Sequence, residues 1–388
     1  MTPAQLTQLF DLLAQPTAPF REQHVIAWSE RVLADAGVPF CADPAGNLVI
    51  GVASLRAYQK LLNTRNAEPV RVFIAHMDHP GFQGVRWLSP QRLAVHWHGG
   101  APVKHVNGAR VWLADGQGAC GAGKLAKVKL SASGMTIDTA EVVFDRAASA
   151  VGRRARTLFG GFAFRAPVWR SGRHIYTKAA DDLVGVFAII DSACRLWRRR
   201  SRAAVPPFIG LLTRAEEVGF VGAIAHFEQG WLTQARRPVL CVSLESSRTL
   251  PGALIGKGPV VRLGDRRTVF NADATQVLTE LAQRVLPGAH QRRIMDGGAC
   301  EATAATAYGL PAIGLSVPLG NYHNQGFEGG PDCARAQGPA PEFVHLDDID
   351  GMLTLCRGLL KKDLPWSHAW DGTRRGLQKR LRSYRKLL

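Results

Sequence analysis

The stretch Val72-Phe73-Ile74-Ala75-His76-Met77-Asp78-His79-Pro80-Gly81-Phe82 limits what this chain can fold into more than any other. Four apolar residues running into His-x-Asp and then Pro-Gly describe a buried parallel strand that delivers polar groups at its C-terminal end. Residues i and i+2 of an extended chain share a face, so His76 and Asp78 point the same way. That suits a histidine metal ligand whose orientation or field is set by the neighbouring carboxylate. Taken alone, the same residues more often describe a loop histidine beside a turn aspartate. The weight therefore falls on what the rest of the chain places at comparable positions.

Alternation of strand and helix patterns supplies those positions. Thr2-Pro3-Ala4-Gln5 reads as a capping box with proline at the first helical position. A second helix is expected over Arg21 to Ala36, and a strand over Leu48 to Val52. Further strands are predicted at Pro207 to Thr213, Pro238 to Leu244 and Pro311 to Val317. Helices are predicted near Leu183 to Trp197, Val221 to Gln229, Ala272 to Val285 and Asp348 to Leu360. Such alternation means a mostly parallel α/β sheet. Between these parts the texture changes to short β-like runs, at Gly84 to Leu88, Arg92 to Trp97, Ala109 to Ala114, Ala126 to Leu130 and Glu141 to Phe144, and these read as a small all-β domain. The stretch VGRRARTLFGGF is expected to return the chain to the first domain. At 388 residues two domains are anticipated: a discontinuous α/β catalytic domain over 1–81 and 166–388, and an inserted, barrel-like β domain over 82–165.

Four polar clusters fall where this pattern puts strand ends or adjoining loops: Asp181-Asp182, Glu216-Glu217, Glu245 after Cys-Val-Ser-Leu, and His323 in Pro-Leu-Gly-Asn-Tyr-His-Asn. Sites of open α/β sheets lie beyond the carboxyl ends of the strands, so clusters distant in sequence can meet there. With His76 they supply two imidazoles and several carboxylates, a set suited to a pair of divalent cations. Each cluster alone has a plainer reading, as a helix cap, a solvated helix start, a surface carboxylate or a loop histidine. Five in one chain, each beside a strand end, favour the metal reading.

In Ala-His-Met-Asp-His-Pro-Gly-Phe, Lys-Ala-Ala-Asp-Asp-Leu-Val-Gly, Arg-Ala-Glu-Glu-Val-Gly-Phe-Val-Gly-Ala, the strand ending in Glu245 and Tyr-His-Asn, the sequence resembles the co-catalytic dinuclear zinc peptidases. It is most similar to the TET-type glutamyl/leucyl aminopeptidases. The gap between Asp78 and Asp181 leaves room for the small β domain that TET-type enzymes insert there, and Gly99-Gly100 resembles a glycine pair in that domain. Carboxypeptidase and deacylase relatives instead place a dimerisation domain before the final histidine, where this chain has too little room. The resemblance implies two divalent ions per chain, zinc or alternatively cobalt or manganese. His76, Asp181 and Glu245 would hold one ion; Glu217, Asp181 and His323 would hold the other, with Asp181 bridging. It further implies that Asp78 tunes His76, and that Glu216 is the general base for a metal-bridging hydroxide. A cis peptide after the bridging aspartate is common in the family. Several positions depart from the family pattern: Asp182 for asparagine, Glu245 for aspartate, His79-Pro80 for an acidic and an aliphatic residue, and Met295 to Glu301 for a glycine-glycine-threonine-aspartate run. These bear on the substrate pocket and on assembly. Glu301 is placed either near the pocket or simply at a helix start. His96, His98 and His105 read as surface or core histidines of the insert.

The implied activity is that of a metallo-aminopeptidase, a hydrolase that frees N-terminal residues from peptides and works as a homo-oligomer. The alternatives are an N-acyl amino acid deacylase or carboxypeptidase-like amidohydrolase, or a non-catalytic polyanion-binding scaffold with a vestigial metal site. Composition bears on the last. Lys plus Arg exceed Asp plus Glu by 48 to 31, a surplus of +17 that favours acidic partners. Much of it lies in Arg195 to Arg202 and in the tail after Asp371. In that tail Leu377, Leu381, Tyr384 and Leu388 recur at helical spacing among basic residues. The tail is expected to fold as a helix packing this stripe on its own domain, with its charges outside and open to polyanions. The first basic residue is Arg21 and no long apolar stretch follows the start. A secretory signal or membrane insertion is therefore not expected, and the cytoplasm is the anticipated compartment.

Overall fold

The computed structural model describes residues 1–145, 152–199, 207–362 and 364–388. Its central sheet has eight strands in the spatial order Phe40–Ala42, Leu48–Ile50, Phe208–Thr213, Val70–His76, Val239–Arg248, Ala312–Leu319, Val260–Asp265 and Gln291–Met295. The middle four pair in parallel. Their residues are buried apart from Ser247 and Arg248, as their unbroken apolar runs require for strands covered on both faces. Thr213 lies opposite His76 and Ser243 opposite Ile74, so their C-terminal ends open on the same side. The fold class is thus a mostly parallel α/β sheet with a small antiparallel barrel.

The helices Pro3–Leu13, Gln23–Asp35, Leu183–Arg199, Ala272–Val285 and Leu346–Leu359 cover one face, and Leu55–Asn63, Val221–Phe227 and Glu301–Ala307 the other. The Thr2–Gln5 capping box forms as its sequence dictates. Gln5 also donates to Asp191 Oδ1 at 2.8 Å, tying the first helix to Leu183–Arg199, which is buried from Leu183 to Cys194.

The strand Val70–His76 runs through His79-Pro80 into a closed barrel of Gly81–Ser89, Arg92–His98, Ile137–Phe144, Gly118–Leu130, Arg110–Asp115 and Phe159–Phe162. Phe82, Trp97, Val111 and Phe162 lie in its core. The stretch expected to return the chain to the α/β part therefore contributes the last barrel strand instead. Its two glycines, Gly160 and Gly161, obscure the apolar pattern of Phe159 and Phe162. The chain then enters a three-stranded sheet of Val168–Ser171, His174–Thr177 and Glu342–His345, which leads directly to Asp181.

The tail forms the helix Asp371–Tyr384, but it does not pack its stripe on its own domain: residues 372–388 are all exposed. Periodicity marks Leu377, Leu381 and Tyr384 as one face, but the segment after Asp371 carries basic residues and no acidic one, which favours solvent around it. The last residues of the basic run Arg195 to Arg202 lie outside the described residues. Among the described residues no helix is long and apolar enough to cross a membrane.

Candidate metal centre

The strand ends deliver the polar clusters to one place. His76 closes the strand Val70–His76, and its Nε2 lies 3.5 Å from Asp181 Oδ1 and 3.8 Å from Glu216 Oε2. His323, beyond the strand Ala312–Leu319, puts Nε2 3.1 Å from Glu217 Oε2 and 3.7 Å from Asp181 Oδ2. Asp181 thus presents one oxygen to each imidazole. His76, Asp181 and Glu217 each offer a donor atom within 4.8 Å of the others. Glu245 faces the same cleft as Asp181, with one oxygen accepting from Ser243 Oγ at 3.3 Å and the other 4.0 Å from Arg262 Nη1. The Asp181–Asp182 peptide is cis. The two carboxylates diverge: Asp182 accepts from Gly185 N–H at 3.2 Å and caps the helix Leu183–Arg199.

Asp78 does more than face His76. Its carboxylate is 3.7 Å from His76 Nδ1, which also lies 3.1 Å from the Asp78 carbonyl oxygen. The same carboxylate accepts the backbone N–H groups of Glu216 at 2.9 Å and Glu217 at 3.1 Å. One buried group therefore fixes an imidazole and both glutamates. Ala215 adopts φ 51°, a left-handed turn at the strand end that lets the adjacent glutamates face different partners.

Burial pushes Glu216, Glu217, Glu245 and Asp182 well above the usual carboxylate range, and neighbouring carboxylates push further. Burial alone would lower His76, yet Glu216, Asp181 and Asp78 raise it well above the ordinary imidazole range. So much buried negative charge is costly without a counter-charge. Asp181 Oδ1, Glu217 Oε1 and His323 Nε2 are buried without a hydrogen-bond partner, although buried polar groups are normally paired. Orphaned carboxylate oxygens and imidazole nitrogens are the donors that divalent cations take. The residues present therefore fit a metal centre.

One contributor is not legible in the sequence. Glu342 is buried in the strand Glu342–His345; Oε2 accepts the N–H groups of Ala180 at 2.7 Å and Asp181 at 3.2 Å, and Oε1 accepts that of His323 at 2.9 Å. It bolts the two loops together and holds His323 at φ 55°. Gly100, by contrast, belongs to the glycine pair singled out in the sequence. It comes from the barrel, and an added Cβ there would lie 2.0 Å from His323 Nδ1, so the glycine lets the barrel close on the centre. Glu301 is fully buried and accepts from Thr213 Oγ1 at 2.8 Å, behind the strand end. His96 and His98 stack edge to face on the barrel, and His105 is exposed.

Glu342→Gln turns one of the two oxygen positions into an N–H donor facing another N–H. The expected result is a fall of roughly 10–100-fold in metal affinity, the usual cost of losing a partner that orients ligands. Metal titration of the folded variant measures it; unchanged affinity would mean that the loops hold their positions without Glu342.

Solved structures share this architecture. A TET aminopeptidase from a marine sediment archaeon of the Thaumarchaeota superposes with a TM-score of 0.71 at 17% identity, over 96% of this chain and 99% of that one. The Pyrococcus horikoshii TET1 peptidase, which assembles into a tetrahedron or a large octahedral shell, gives 0.69 at 20% identity over 92% and 99%. The aminopeptidase APDkam598 of Desulfurococcus kamchatkensis gives 0.70 at 18% over 94% and 96%. The fold is that of the TET peptidases. No curated protein sequence matches the chain. The model of the M42 glutamyl aminopeptidase family matches residues 58–327, a span holding every ligand candidate, and the chain belongs to that family.

Proposed function

We propose that this chain is a metal-dependent aminopeptidase that removes acidic residues from the N-termini of peptides. The observation that carries this reading is the convergence of His76, His323, Asp181 and Glu217 from separate parts of the chain, with buried donor atoms left unpaired and Glu245 facing the same cleft as Asp181. His76, Asp181 and Glu245 would hold one divalent ion and Asp181, Glu217 and His323 the other, zinc being the first candidate. Bound ions supply Lewis acidity and a water that ionises near neutral pH.

The protein side of the reaction falls to its own carboxylates. Glu216 sits with Oε2 3.8 Å from His76 Nε2 and is unclaimed by the second imidazole. It accepts the proton of the attacking water and returns it to the leaving amine; burial, which raises its affinity for a proton, suits a group that must both take and give one. Asp78 keeps Glu216 and Glu217 in their separate orientations through their backbone N–H groups.

Beside Asp181 and Glu245 lies a narrow cleft of about 30 Å³. Arg248, Arg262, Met295 and Tyr322 line it. The Nε atoms of both arginines are buried and unpaired, and guanidinium groups are matched to carboxylates. An N-terminal glutamate or aspartate supplies that carboxylate, in keeping with the name of the family. A homo-oligomer is supported by the assemblies of the Pyrococcus TET1 peptidase. We take the barrel as a discrete insert over 82–165 that shapes the approach to His323.

Peptides differing only in their first residue test the pocket. Release of glutamate or aspartate should exceed release of leucine or lysine. Arg248→Gln should lower the acidic rates by roughly ten- to a hundredfold, the worth of a charge-assisted bond, and leave leucine release nearly unchanged. Equal loss for all substrates would remove Arg248 from side-chain recognition.

A further inference from the structure

The helix Asp371–Tyr384 has no place in this chemistry. Its start is fixed: Ala369 is buried with Val277 and Leu364, and Trp370 Nε1 donates to Asp273 Oδ1 at 2.7 Å. Beyond that anchor the helix stands clear. Leu377, Leu381 and Tyr384 are 60%, 52% and 59% exposed and Leu388 97%, although such a stripe at helical spacing normally faces a core.

We propose that this helix is a peripheral docking element for an anionic lipid surface. At about 100° per residue, Leu377, Leu381 and Tyr384 fall within an arc of about 60°. Arg374 and Arg380 flank that arc, and Arg375, Lys379 and Arg382 lie across the helix from it. Arg385 and Lys386 extend the charge, and Asp371 is the only acidic residue of the segment. This is the distribution of a helix lying in the plane of a membrane interface, its apolar face at the acyl boundary and its cations among anionic headgroups. The stems of Arg374 and Arg380 reach back to the headgroups as the stripe sinks in.

Charge complementarity and the stripe together select this occupant. A nucleic acid would neutralise the arginines but leave the leucines in water. Pairing stripe to stripe with a second copy would cover the leucines but bring two strongly basic segments side by side. An anionic bilayer satisfies both faces at once.

The test uses the full-length protein with phosphatidylserine-containing vesicles and with vesicles of phosphatidylcholine alone, in cosedimentation at low and high salt. Wild type should bind the anionic vesicles at least about tenfold more tightly, with salt weakening the interaction. The double variant Leu377→Ser, Leu381→Ser, which leaves the charge unchanged, should lose that binding by about tenfold or more while keeping its retention on heparin. The helix stands in solvent, so folding is not at risk, and circular dichroism checks it. Vesicle binding unchanged in the double variant would overturn the proposal in favour of simple charge adsorption. Absence of vesicle binding with tight RNA binding would overturn it in favour of a nucleic-acid arm. A concentration-dependent assembly abolished by the double variant, without vesicle binding, would assign the stripe to a second copy. None of these outcomes depends on the peptidase reading, because each reads binding or assembly.

Discussion

Glu216→Gln is expected to lower turnover by on the order of 10² to 10⁴, the usual contribution of a general base, while metal content and fold stay as in wild type. Glutamine keeps the size of the side chain and cannot accept the proton of the attacking water. The backbone bond from Glu216 N–H to Asp78 at 2.9 Å does not involve the altered group, so the local turn survives. The neighbouring substitution separates the two roles. Glu217 Oε2 lies 3.1 Å from His323 Nε2 and its Oε1 is orphaned, so Glu217→Gln should weaken metal binding, with activity partly restored by excess zinc or cobalt. Stopped-assay rates and metal analysis on both variants check the pair. Wild-type turnover in Glu216→Gln, or metal loss confined to it, would exchange the roles.

Asp181→Ala should deplete both metal positions. Asp181 is the carboxylate that comes within 4.0 Å of both imidazoles, one oxygen at 3.5 Å from His76 Nε2 and the other at 3.7 Å from His323 Nε2. Removing it takes a donor from each position and leaves two like charges less shielded from one another. Loss of a mere orienting partner costs 10–100-fold in affinity, so loss of a shared ligand should cost more than about a hundredfold, and peptide release should fall with it. Retention of metal and rate would move the bridge to Asp182. That residue's carboxylate is turned to Gly185 N–H, and its second oxygen is unpaired.

The parts of this molecule that are legible in the sequence are those where one local pattern carries the information. An apolar run that stops at a polar cluster announces both a buried parallel strand and the end that carries its polar groups, which is why His76, Glu216, Glu217, Glu245 and His323 stand out from the sequence alone. The cap Thr2–Gln5 is equally local. Glu342 does not stand out, because its role rests on backbone bonds to residues far away along the chain. Its nearest signal is an acidic residue opening a short β-prone run. The strands Val260–Asp265 and Gln291–Met295 carry arginines in their interiors, which hide their apolar character. The helix Leu55–Asn63 buries only Tyr58 and Leu62, too thin a stripe to stand out. The tail misleads for the opposite reason. Its stripe is plain, but periodicity says which face wants to be covered and says nothing of what covers it.

The most direct measurement is incubation of the purified protein with a free peptide beginning in glutamate and with the same peptide N-acetylated, with the metal content of that sample determined alongside. The predicted result is stepwise release of the N-terminal residue from the free peptide only, by protein carrying about two divalent ions per chain. Equal or faster action on the acetylated peptide would make the chain a deacylase, and no cleavage of either peptide with no metal retained would contradict the catalytic reading outright.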